Sequence, residues 1–270
     1  MVSIHCVNKK GSRIVKYREN SVSDLFRVGI LLSLIFPFSM RAAVQFDNTR
    51  VIFPAKEREV SIRLINKGNE PGLMQAWVDK GNLDIQPDNA DAPFLVMPPI
   101  FRLDPKEAKS VRIIFAGEKL PQDRESLYWL NFLEVPAIPK ENGVDFIQFA
   151  LRSRFKLFYR PIGLPGNPSE AIKQVRWSII EKDAGRYALK GENPTPYHIT
   201  YRWLKLSYSG KDYDIDAGMI NPFTQREYTL GEIAVEGGDG KLRYRGVSDY
   251  GISSEQQVVV QKVSMNRASP

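Results

Sequence analysis

From residue 43 onward, apolar and polar positions alternate in short runs. Val60, Ile62 and Leu64 are interleaved with Ser61 and Arg63, and Val111, Ile113 and Phe115 with Arg112 and Ile114. Ile147, Phe149 and Leu151 are interleaved with Gln148, Ala150 and Arg152, while Tyr128, Leu130 and Phe132 sit in a longer apolar stretch. Successive side chains of an extended chain point to opposite faces, so a period of two marks a half-buried strand. The β-branched and aromatic residues in these runs suit the same geometry. Turn formers cut the runs at Asn66–Asn69, Pro87–Asn89, Pro98–Pro99, Asp104–Pro105 and Glu141–Gly143. No stretch after residue 43 carries a long helical period. Many short strands with regular turns predict an all-β protein of immunoglobulin-like antiparallel sandwiches.

A break follows Arg160. Residues 161–168 are dense in Pro and Gly and read as a linker. A second strand-rich set then begins near Ile172, with Val175–Ile180, Tyr187–Lys190, Ile199–Tyr208 and Val258–Val263. The expected organisation is a leader over 1–42, one sandwich domain over 43–161 and a second over 162–270.

The charge distribution sets the leader apart. Residues 1–42 hold seven Lys or Arg against Glu19 and Asp24, whereas the rest of the chain is close to neutral. Val28 to Met40 is uncharged, bounded by Arg27 and Arg41, and too short to span a bilayer comfortably, which takes about 20 residues. A basic segment, a short apolar run and then Ala42 and Ala43 predict a secretory signal, and hence the periplasm or beyond. Residues 1–21 are long for the front of such a signal and read as an over-extended start. The single cysteine, Cys6, lies in the leader. Disulfides are therefore not expected to staple the mature fold, which must rest on its cores.

Several segments resemble a known family. DNTRVIFPAKEREVSIRLIN, FLVMPPIFRLDPKEAKSVRIIF, LPQDRESLYWLNFLEVP and FALRSRFKLFYRP are similar to the first domain of periplasmic pilus chaperones. NPTPYHIT and VSDYG are similar to their second domain. Each match is modest, but they stand in family order along nearly the whole mature chain. The resemblance implies two immunoglobulin-like domains set as a boomerang around a cleft. It also implies a function: to hold fimbrial subunits that lack one strand by lending them a strand, and to deliver them to an outer-membrane usher. The short connection from Leu133 to Phe146 resembles the subclass that builds ordinary adhesive pili.

Residue roles follow from the same resemblance. Ile147, Phe149 and Leu151 are assigned to the donor strand. Alternation alone would read them as part of the chain's own core. Arg50 and Lys156 match the basic pair that anchors a subunit's C-terminal carboxylate. Glu125, Arg160 and Asp249 match an ion network between the domains. Strict alternation puts Lys156 on the face of its strand opposite Ile147. Anchor and donor therefore require a twist, a bulge or a different edge of that strand.

Other functions find little support. After the leader the chain has one histidine, His198, and no cysteine, so a zinc site is not expected. No G-x-S-x-G, P-loop or G-x-G-x-x-G motif is present. No enzyme activity, metal, cofactor or small-molecule substrate is expected. The near-neutral mature charge disfavours nucleic acid. A sugar-binding sandwich would share the fold class, but has no reason to keep the Arg50–Lys156 pair or the Ile147 triplet.

Overall fold

The computed structural model describes residues 44–137, 149–183, 186–232, 239–251 and 253–263. Two β-sandwich domains make up these residues, each with its own core. In the first, β1 (Val44–Phe46), β3 (Glu59–Asn66), β5 (Phe94–Met97) and β7 (Ala108–Phe115) form one sheet in the order β1-β3-β7-β5. The other sheet contains β2 (Arg50–Pro54), β4 (Gly72–Asp79), β6 (Ile100–Leu103), β8 (Ser126–Pro136) and β9 (Leu151–Arg160). Its order is β2-β9-β8-β4-β6. The inward residues of both sheets meet in one core, where Phe53, Ile62, Leu64, Ile113, Leu130 and Leu157 are buried. These include Ile62, Leu64 and Ile113 of the period-two runs, as expected for sheets packed face to face.

The chain changes sheets at its start. β1 pairs with β3, whereas β2 crosses to the other sheet and runs parallel to β9. That crossing sets Arg50 directly opposite Lys156.

The second domain is built from β10 (Arg176–Asp183), β11 (Arg186–Glu192), β12 (Ile199–Tyr208), β13 (Lys211–Ile215), β14 (Met219–Ile220), β15 (Gln225–Glu232), β16 (Gly240–Val247) and β17 (Ser253–Val263). The strand order is β13-β12-β16-β17-β10-β11-β15, with β14 also paired to β12. β17 serves two neighbours in turn: Ser253 to Val260 run antiparallel to β16, and Gln261 to Val263 run parallel to β10. Its core is rich in aromatic residues. Tyr201 meets both Trp177 and Tyr244 edge-on, with ring centres 5.3 Å apart in each pair. This arrangement suits the ring quadrupoles.

The connecting segment contains a helix that the apolar pattern does not reveal. α1 (Pro168–Gln174) is too short to display a period. Its start is nonetheless written locally. The Asn167 side chain accepts from Glu170 N at 2.9 Å, and Pro168 opens the helix where no N–H is needed. Ile172 then packs so closely on β16 that a Cβ on Gly246 would stand 2.5 Å from its Cγ2, which only glycine avoids. The Pro87–Asn89 turn cluster is a single 3-10 turn.

Candidate functional site

β9 organises the site. Its register with β8 runs unbroken from Ser126 opposite Tyr159 to Glu134 opposite Leu151. Alternation is therefore strict along the strand. Leu151, Ser153, Phe155 and Leu157 share the core face, and Arg152, Arg154, Lys156 and Phe158 the other. On the core face, burial fades toward the start of the strand. Leu157 is fully buried, and Phe155 packs half-buried on Phe46 with ring centres 4.5 Å apart. Leu151 is 49% exposed and Phe149 is 72% exposed.

Lys156 thus lies on the face opposite Leu151, with no bulge between them. Among the described residues the strand starts at Leu151, with Phe149 and Ala150 before it. The last pair among the described residues is Leu151 with Glu134. Ile147 and most of the connection from Leu133 to Phe146 lie outside the described residues.

The opposite face carries the basic pair. Arg50 is only 8% exposed. One terminal nitrogen donates to Val247 O at 3.3 Å, and the guanidinium stands 5.8 Å over the Phe158 ring. Its Nε is buried without an acceptor. Lys156 Nζ donates to Thr200 Oγ1 at 3.1 Å and stands 6.0 Å over the Trp129 ring. Burial, then the charges of Arg50 and Arg226, push the Lys156 amine down to about 8. Burial also lowers Arg50, against the pull of Asp249 and Glu125. Both cations face a cleft cavity of about 300 Å³. Thr49 and Trp129 line it from the first domain, and Arg202, Val247 and Gly251 from the second.

The predicted ion network closes beside this cavity. Arg160 Nε donates to Glu125 Oε1 at 2.7 Å, and its two terminal nitrogens donate to the Asp249 carboxylate at 2.8 and 3.0 Å. Burial opposes the Arg160 charge, but the hydrogen bonds and charges of Asp249 and Glu125 outweigh it and raise its pKa. His198, unassigned by sequence reasoning, joins here. Its backbone N donates to Glu125 Oε2 at 2.8 Å, and its ring packs on Phe158 at 5.2 Å. A backbone bond from Glu125 N to Pro196 O, 2.9 Å long, ties the domains at the same point.

A second cluster went unread in the sequence. Asp79 is fully buried. It accepts from Arg154 at 2.7 and 3.0 Å, from Arg152 at 3.3 Å and from Asn131 Nδ2 at 2.8 Å. Arg152 and Arg154 each lie 4.7 Å over a tryptophan, Trp77 and Trp129 respectively. The signal was the alternation of cations with apolar residues in LRSRFKLF, which marks one face of β9 as basic. Among the described residues, no three His, Cys, Asp or Glu side chains gather as metal ligands, and no helix is long and apolar enough to cross a membrane.

The chain matches the pili and flagellar-assembly chaperone family, PapD N-terminal domain, over residues 43–165. It matches the pili assembly chaperone PapD, C-terminal domain, over residues 170–258. It belongs to the pilus-assembly chaperones. This is a family of non-enzymatic periplasmic chaperones. The chaperone is 37% identical over 222 residues to the probable fimbrial chaperone YadV of Escherichia coli K12, covering 81% of this chain and 90% of that protein. It is 35% identical over 239 residues to the chaperone protein MrkB of Klebsiella pneumoniae, covering 87% and 99%. The solved YadV chaperone superposes with a TM-score of 0.69 at 35% identity, over 81% of this chain and all of that one. A solved complex of the Salmonella enterica SafA pilin with the SafB chaperone aligns with a TM-score of 0.66 at 27% identity, over 82% and 98%.

Proposed function

We propose that this chaperone captures fimbrial subunits in the periplasm by gripping them at two places, a basic anchor and a donor strand. Arg50 and Lys156 receive the subunit's C-terminal carboxylate. Each such charge-assisted bond contributes about 1.5–3 kcal/mol. Phe149 and Leu151, with Ile147 beyond them, enter the open core of a subunit that lacks a strand. Burying each apolar side chain contributes roughly 1.5–3 kcal/mol before ordering costs. Glu125, Arg160 and Asp249 hold the two domains, 43–161 and 162–270, at the angle that keeps the cleft open. The Val28–Met40 segment exports the chain, and the loaded chaperone then delivers its subunit to an outer-membrane usher.

The observation that carries this reading is the placement of two partly desolvated cations side by side. They face a cleft from the paired strands β2 and β9, and the core-face row of β9 runs out into solvent at Leu151 and, just before the strand, Phe149. The test is periplasmic co-expression of a tagged subunit with Arg50→Ala or Lys156→Ala. Both variants are expected to fold and to lose the subunit from pull-downs. Undiminished recovery of subunit with both would overturn the assignment.

A further inference from the structure

One row of the first domain's outer face crosses four strands. Asp79 on β4 is paired with Trp129 on β8, Trp129 with Lys156 on β9, and Lys156 with Arg50 on β2. Residues directly opposite in paired strands share a face. The buried acid, the indole and the two basic residues therefore lie side by side. Asp79 does not serve the basic pair directly, because its carboxylate is taken up by Arg152, Arg154, Asn131 and the Gly81 N–H. What it fixes is Arg154, whose guanidinium lies 4.7 Å over the Trp129 ring. Gly81 closes on the edge of the same ring, where a Cβ would stand 3.4 Å from the indole Nε1. The ring so held lines the cleft cavity and stands 6.0 Å from Lys156 Nζ.

The charges around Lys156 give that ring something to do. Arg50 on β2 and Arg226 on β15 repel the amine. Arg154 on β9 and Arg202 on β12 line the same cavity, and no acidic residue among the described residues does. The nearby acids are already engaged, Glu125 and Asp249 by Arg160 and Asp79 by Arg154. Among the described residues, the groups that favour charge on Lys156 are the Thr200 hydroxyl and the face of Trp129. An aromatic face is negative, and its pull on a cation grows as water is excluded. Arg154 leaves most of that pull to Lys156, because its own charge is answered by Asp79 at 2.7 Å.

We propose that Trp129 is a positioning residue of the anchor: its face keeps the Lys156 ammonium charged and aimed into the cleft, and Arg154, fixed by Asp79, keeps the ring in place. The cluster around Asp79 is then the back of the anchor rather than a separate feature of β9. For its bearing on clients this inference rests on the carboxylate-anchor reading above. Its effect on the amine does not, since that effect is present before any client arrives.

The test titrates the Lys156 amine in the free chaperone by NMR of lysine labelled at Cε, with Lys156→Met to assign the signal. Trp129→Leu removes the aromatic face, and Trp129→Phe keeps one. The leucine variant is expected to titrate about half a pH unit below the wild type, and the phenylalanine variant within about 0.2 units of it. Replacing tryptophan by 5-fluorotryptophan throughout preserves shape and weakens the face, so it should lower the midpoint by less than Trp129→Leu does. Should the leucine variant fail to fold, the fluorinated protein decides alone. An unmoved midpoint, or one that Trp129→Phe lowers as far as Trp129→Leu, overturns the proposal. A fluorescent peptide of alternating apolar residues, ending in a free carboxylate or an amide, separates this idea from the anchor itself. With Trp129→Leu, the pH above which the carboxylate peptide is lost should fall together with the amine midpoint, and binding of the amide peptide should not change. If the wild type binds both peptides alike, the anchor fails whatever the amine does. If it prefers the carboxylate while the amine titrates alike in all forms, the anchor stands and the role of Trp129 falls.

Discussion

Lys156 is charged where its surroundings oppose charge. Burial, Arg50 and Arg226 lower its amine from an ordinary value near 10.5 to about 8. Below about pH 8 the amine is protonated in the folded and the unfolded chain alike, so the full cost is present. Between about 8 and 10.5 the folded protein gives up the proton first, and wild-type stability rises across that window relative to a chain without the group. Lys156→Met is therefore expected to raise stability at pH 7 by about 1–2 kcal/mol, a figure discounted for the solvent that still reaches the amine. The gain should shrink as the pH is raised from 8 to 10.5. Thermal unfolding at several pH values checks this, and a gain independent of pH would contradict it. In the wild type, subunit affinity is expected to fall above about pH 8, because only the protonated amine holds a carboxylate. At this scale the sequence was legible only through the family pattern. Arg50 and Lys156 are far apart in the chain, and nothing local distinguishes them from solvated surface cations. His198 was harder still, because its contact with Glu125 comes from a different domain.

β9 shows what periodicity can and cannot tell. Alternation in its sequence separates a core face from a basic face, and the same logic recovered β3 and β7. What alternation cannot say is where burial ends. Leu151 and Leu157 occupy equivalent places in the pattern, yet one is half exposed and the other fully buried. That difference is set by which strands lie across the core, a tertiary fact. Phe149→Ser is expected to leave the free protein's unfolding midpoint nearly unchanged, since the ring is 72% exposed. It should weaken subunit capture, and a large drop in the midpoint would mean that Phe149 serves this chain's own core instead. The far face of β9 carries a separate expectation. Asp79 is the buried counter-charge for Arg152 and Arg154. Asp79→Asn would leave both guanidinium groups without it, at a cost of about 3 kcal/mol. Hydrogen exchange of Leu151 to Phe155 should accelerate more than that of β3 or β7. Uniform acceleration would show only global destabilisation.

The whole molecule depends on a few contacts between the domains. Arg160 reaches across to Asp249 and is braced by Glu125 of its own domain, while Glu125 itself bonds Pro196 and His198 of the other. Asp249→Asn is expected to cost about 1–3 kcal/mol, less than a fully buried pair would, since both side chains keep some solvent contact. Each core should survive in circular dichroism, while small-angle scattering should report a wider spread of domain orientations. An unchanged scattering profile would mean that the network does not set the angle. Two sandwich domains were legible from the turn spacing and the Pro-Gly segment. Their contact was legible only through the family pattern, and without His198, because Glu125, Arg160, His198 and Asp249 come from four separate segments of chain.

The same scatter has a consequence in time. Arg50 stands near the start of the described chain, and its carbonyl partner, Val247, comes 197 residues later. Between them, β9 must dock beside β2 and the second domain must fold. Contacts so distant in sequence form late and together. A chain still being made, or only half folded, has an amine and a guanidinium but no site. On the anchor reading proposed above, the ability to grip a client comes only once the Arg50–Val247 contact has closed.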